Sequence, residues 1–203
     1  MRPHLLAPPV RAGDRIRLAA VLAVGAALQM MATAEPARAA CTDLPAAGVE
    51  WRRCRMDGAA LDGVDLTGAR LVDTSFQRAS LRGARLVRAD ARRARFISTD
   101  LREAVLDGAD LTNADLTNAD LAGASLQRTD LRRARLFRAN LKGADLTGAN
   151  LDGADLLHAE LAGARWIDGV SICAPDSVGR CHPVPTGTGA GPAASVPSAT
   201  LGQ

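Results

Sequence analysis

Between residues 56 and 166 a large apolar residue returns at every fifth position. The series starts at Met56 and runs through Leu61, Leu66, Leu71, Phe76, Leu81 and Leu86. It continues without an insertion to Leu161 and Trp166, with Ala91 as its one small member. Two places before each large residue stands Ala, except at Cys54, Val64, Thr74, Thr99 and Thr129, all small or β-branched. The position just before the large residue is mostly Asp, Asn, Ser or Arg; two places after it Gly, Asn and Arg recur. A period of five fits neither the 3.6-residue turn of an α-helix nor the two-residue alternation of a strand. It lines a narrow interior only if the chain bends once per unit.

These 23 units, over residues 54–168, closely resemble the pentapeptide-repeat family, whose consensus is A(D/N)LXX. The resemblance implies an all-β fold, a right-handed quadrilateral β-helix. Each unit forms one side of a square, four units make a coil, and the large and small positions point inward. The sequence then holds a little under six coils, stacked at roughly the strand spacing of 4.8 Å. Glycines such as Gly108 and Gly148, with Asn113 and Asn118, suit the corners, where φ is unusual. Ala91 predicts one under-packed layer, with Ala91→Leu a stabilising change.

Composition narrows the picture. The chain is 47% apolar but only 2% aromatic, which suits a slender, layered core. Residues 1–39 read as a secretory signal peptide: Arg2, Arg11, Arg15 and Arg17 precede the uncharged run Leu18–Ala34, and Ala37-Arg38-Ala39 fits a cleavage site. No transmembrane segment is expected once it is removed. The leader carries five of the 25 basic residues and two of the 22 acidic ones, so the remainder is balanced at 20 against 20. The basic pI belongs to the leader and does not argue for nucleic acid. Cys41, Cys54, Cys173 and Cys181 in an exported chain suggest two disulfides. Local pairing, Cys41 with Cys54 and Cys173 with Cys181, is favoured over the other two connectivities. Zinc is disfavoured, because there is no CxxC and the only nearby imidazole is His182. Arg38, three places before Cys41, argues against a lipoprotein, which stays a minor alternative to a periplasmic or secreted protein.

The flanks divide accordingly. Residues 40–55, with Trp51, read as an N-terminal cap, 56–168 as the β-helix, 169–181 as a C-terminal cap and 182–203 as a disordered tail rich in Pro, Gly, Ala, Ser and Thr.

On the outside, residues 20 apart share a row. Arg95, Asp115, Arg135 and Asp155 form one row of alternating sign, expected to be a solvated salt ladder. Asp90, Asp110 and Asp130 form another, read as a solvated row in preference to a cation site. Arginine is concentrated in residues 78–102 and 128–142, which places Arg92 with Arg132 and Arg93 with Arg133 in two basic bands. A solvated face is the plainer reading; an anionic partner is the sharper one. Ile97, Thr117, Phe137 and Leu157 make a row less polar than its position warrants, and Ile97, Phe137 and Leu157 are candidate contact residues.

No catalytic, cofactor-binding or metal-binding constellation is visible. His158 stands alone, no Ser/His/Asp or Cys/His set is present, and no phosphate loop occurs. The expectation is a non-enzymatic, exported scaffold whose rows meet an unidentified protein or an anionic envelope component, its oligomeric state open. The family resemblance also brings a different class, a DNA mimic that binds topoisomerases. That role implies an acidic cytoplasmic protein, which the leader, the cysteines and the neutral balance oppose.

Overall fold

A computed structural model describes residues 41–184; the leader and the stretch from residue 185 onward, most of the expected tail, lie outside the described residues. The chain winds as a right-handed quadrilateral β-helix. An unbroken ladder of parallel bridges runs from Glu50↔Arg70 to Asp145↔Arg165, each joining residues 20 apart, so four units close one coil. The first face carries Trp51, Leu71, Ala91, Leu111, Leu131 and Leu151 inward. The second carries Met56, Phe76, Phe96, Leu116, Leu136 and Leu156. The third face begins with Leu61 and the fourth with Leu66.

Each unit uses its backbone in the same way. The amide of Leu61 donates to Ser80 O at 2.7 Å and that of Gly63 to Arg82 O at 2.8 Å, both in the next coil. The amide of Ser80 donates back to Ala59 O at 2.9 Å, and Ala59 N closes the turn on Met56 O at 3.1 Å. The remaining amide, just after the large residue, has no backbone carbonyl left for it and takes a side-chain acceptor where the sequence places one. This explains the Asp or Asn before the large residue: Asp110 Oδ1 accepts from Thr112 N at 3.0 Å, and Asn150 Oδ1 from Asp152 N at 3.0 Å. Where Ser replaces Asp, an aspartate one coil earlier takes over. Asp57 Oδ1 accepts from Gln77 N at 3.1 Å and Ser75 Oγ at 2.5 Å, and Asp107 does the same for Gln127 N and Ser125 Oγ.

Inside, leucine and alanine interlock, both essentially inaccessible through the middle coils. The rings of Phe76 and Phe96 stack with centroids 5.2 Å apart, and Trp51 tilts over Phe76 at 6.5 Å. Trp51 is 1% exposed and sits in register as an inward residue, so the ladder begins before residue 56, the expected start of the β-helix.

A cysteine-bearing segment lies at each end. Cys41 joins Cys54, and Cys173 joins Cys181. After Trp166 the chain turns back and pairs antiparallel with the last coil, Glu160↔Val178 and Arg165↔Ile172, over the third and fourth faces. This pairing runs to Cys173↔Pro183 and Val184 N→Ile172 O (2.8 Å), past the expected boundary at residue 181. Over the first and second faces the amides of Leu151, Gly153, Leu156 and His158 have no backbone partner among the described residues.

Candidate functional site

The outward side chains sort by their place in the unit. An arginine just after the large residue lies on the flat of a face, within reach of the aspartate two residues before it. Arg92 holds Asp90 through two parallel bonds of 2.7 and 2.8 Å, and Arg132 holds Asp130 at 2.9 and 2.7 Å. Arg102 clamps Asp100 in the same way. These guanidinium hydrogen bonds pull the carboxyls of Asp90, Asp100 and Asp130 below their ordinary 3.8. The Asp90–Asp110–Asp130 row is thereby tied to arginine, and Asp110 itself lies 3.6 Å from Arg92.

Arginines two places after the large residue stand at the corners instead. Every corner has a positive φ, and seven are arginine: Arg53, Arg78, Arg88, Arg93, Arg128, Arg133 and Arg138, at φ between 55 and 58°. Such a conformation costs an L-residue other than Gly roughly 1–2 kcal/mol. Asn113 and Asn118 show the less strained choice in the same fold. Of the seven, Arg93 alone is in an ion pair among the described residues, with Asp73 at 2.7 Å. The corner arginines lie along the surface where the next coil leaves room: a Cβ on Gly148 would come within 3.2 Å of Arg128 Cγ, and one on Gly153 within 3.5 Å of Arg133 Cγ.

The four basic candidates therefore separate. Arg92 and Arg132 share a row on the first face and are held by their own aspartates. Arg93 and Arg133 share the corner between the first and second faces, and only Arg133 is without an ion pair. Ile97, Phe137 and Leu157 do share one row on the second face, at its far end from that corner, next to the corner residues Ser98, Arg138 and His158. Leu157 is 57% exposed, whereas Phe137 is half-buried between Arg138, whose guanidinium lies 5.5 Å from the ring, and His158, whose ring meets it edge-on at 5.6 Å.

The expected salt ladder takes a different form. Arg95, Asp115, Arg135 and Asp155 stack as foreseen, but no ion pair forms among them. Asp115 and Asp155 turn to the amides of Thr117 and Leu157, at 3.1 and 3.0 Å, which leaves Arg95 and Arg135 unpaired.

A motif emerges only once the coils are aligned. Arg-Arg-X-Arg occurs at 52–55, 92–95 and 132–135, spaced 40 residues apart and therefore two coils apart on one corner. Clefts of about 380 Å³ beside Arg52, Arg53, Asp73 and Arg93, and about 320 Å³ beside Arg132, Arg133 and Asp152, open next to it.

The repeat fits the family model for pentapeptide repeats (8 copies) over residues 59–97, 69–108, 99–136 and 134–165, and the chain belongs to that family. Solved structures similar to it include HetL from the cyanobacterium Nostoc sp. strain PCC 7120, a pentapeptide repeat protein involved in heterocyst differentiation regulation. It is 35% identical over 62% of this chain and 70% of its own, with a TM-score of 0.31. A pentapeptide repeat protein of the Arabidopsis thaliana thylakoid lumen is 28% identical over 62% of this chain and 86% of its own, TM-score 0.30. Rfr23 from Cyanothece 51142 is 28% identical over 58% and 90%, TM-score 0.28. No curated protein matches the chain.

Proposed function

We propose that the chain is an exported, non-enzymatic scaffold, a stack of coils that displays outward rows to a partner outside the cytoplasm. The supporting observation is the pair of cysteine bridges at the two ends of the coil stack, Cys41–Cys54 and Cys173–Cys181, which suits an oxidising compartment. The leader-like residues 1–39 point the same way. Among the described residues no helix is long and apolar enough to cross a membrane. Fractionation with intact-mass measurement is the test. The expected species begins at Ala40 and carries two disulfides. A full-length, reduced cytoplasmic protein would overturn export and restore the topoisomerase-binding alternative.

A second reading names the partner's chemistry: an anionic envelope component bound through arginine. Its support is the corner set, in which all seven arginines occupy a strained conformation and six are outside any ion pair among the described residues. Nothing in the backbone favours arginine there over Asn or Gly. The check is retention on anionic supports at low salt and its loss as salt rises.

A further inference from the structure

The corner between the first and second faces is unlike the other three. Its basic residues come in clusters, RRCR at 52–55 and RRAR at 92–95 and 132–135. The intervening coils place Val72-Asp73-Thr74-Ser75, Thr112-Asn113-Ala114-Asp115 and Asp152-Gly153-Ala154-Asp155 at the same spot, with no basic residue in any of them. Each basic cluster keeps at least one guanidinium outside any ion pair: Arg52 and Arg53 in the first, Arg95 in the second, Arg133 and Arg135 in the third. With a coil rise of about 4.8 Å, clusters two coils apart repeat along one line at about 10 Å.

A ligand matched to that line is a linear polymer of low charge density. Duplex nucleic acid, with one charge per about 1.7 Å of axis, would bring its excess charge against Asp73, Asp115 and Asp155 in the intervening coils. A dense anionic lipid surface laid on the second face would meet Asp115 and Asp155 in the same row as Arg95 and Arg135. A polyphosphate, charged at every unit along its length, would meet the same aspartates as the duplex.

We propose that this corner binds an extended acidic polysaccharide carrying one carboxylate per about 10 Å, one carboxylate to each Arg-Arg-X-Arg cluster. The proposal rests on the second reading above and specifies its site and ligand class. Arg53, Arg95, Arg133 and Arg135 supply the free guanidiniums.

The test uses the mature, oxidised protein and hyaluronan oligosaccharides, which bear one carboxylate per disaccharide, with anionic phospholipid vesicles and neutral dextran in parallel. Titration calorimetry at low salt (about 20 mM) should show hyaluronan binding that strengthens with length until the chain spans three clusters, about 20 Å. The variant Arg53→Asn/Arg95→Ser/Arg133→Asn/Arg135→Ser should weaken it by about tenfold or more. Each replacement is a residue the repeat already uses at that place, as at Asn113 and Ser75, and thermal unfolding checks that the fold is kept. A control with the same charge loss elsewhere, Arg78→Asn/Arg85→Ser/Arg88→Asn/Arg128→Asn, should change binding by less than about twofold. Equal weakening by both variants would overturn the corner assignment and leave the anionic reading standing. Binding to vesicles but not to hyaluronan would overturn the polysaccharide. Binding to no anionic probe, or equally to dextran, would overturn both.

Discussion

At each inward threonine the hydroxyl finds a carbonyl one coil back: Thr99 Oγ1 donates to Phe76 O at 2.7 Å, and Thr129 Oγ1 to Leu106 O at 2.8 Å. A buried hydroxyl is tolerated when it is bonded, so the threonine exceptions add no unpaired group to the interior. The outward aspartates carry the acid response. Asp90, Asp100 and Asp130 have folded pKa values below 3.8, so their contribution to stability is complete above the unfolded value. It is lost as pH falls through the folded one. The unfolding temperature should therefore be flat near neutrality and drop below about pH 4, and Asp100→Asn should flatten that drop. Ala91 is buried in a coil that also holds Phe96, which returns only part of the volume a second leucine would supply. Ala91→Leu should raise stability by about 1 kcal/mol in urea unfolding; a decrease would mean the Phe96 ring already fills the layer. At this scale the inward residues are legible from spacing alone, because burial repeats with the backbone. The state of each arginine is not: Arg92 and Arg133 differ by standing on a flat or at a corner, and only coordinates tell which aspartate lies in reach.

One unit of five residues is incomplete by one hydrogen-bond acceptor, and where a side chain supplies it the chain does so in two ways. Either the residue before the large one is Asp or Asn, or it is Ser and an aspartate 18 residues earlier serves, as Asp57 serves Ser75. The two solutions are interchangeable on physical grounds. Asp57→Ala should cost about 1 kcal/mol, the worth of the hydrogen bonds it removes, and Ser75→Asp added to it should recover most of that loss. Ser75→Asp also places the new carboxylate between Arg55 and Arg95 in its row. A double-mutant cycle in denaturant measures both terms; independent, additive losses would contradict the exchange. The sequence displays every residue of this device but hides the pairing, since a separation of 18 acquires meaning only when four units are known to close a coil. The Arg-Arg-X-Arg recurrence is hidden for the same reason.

Across the described coils, stability is the sum of near-identical layers, and the ends are where it is most exposed. The Cys173–Cys181 hairpin covers the third and fourth faces of the last coil, where Leu161 and Ala164 are fully buried, while Leu151 and Leu156 on the other two faces are only partly so. Closing a loop of that separation, 8 residues, contributes about 2.5 kcal/mol by the chain-entropy account. Cys173→Ser with Cys181→Ser should lower stability by about that amount. Protease nicking should follow in the segment after Trp166, with the middle coils left intact, readable by mass spectrometry of the fragments. The register of 20 also constrains how such a chain can change length. Inserting or deleting a single pentapeptide would swing every downstream row by a quarter turn, parting Arg133 from Arg53 while the interior stayed whole. Only whole coils can be gained or lost without scrambling what lies along an edge, and only pairs of coils without breaking its alternation. A lineage that depends on such an edge would vary in steps of 40 residues, although its core tolerates steps of five.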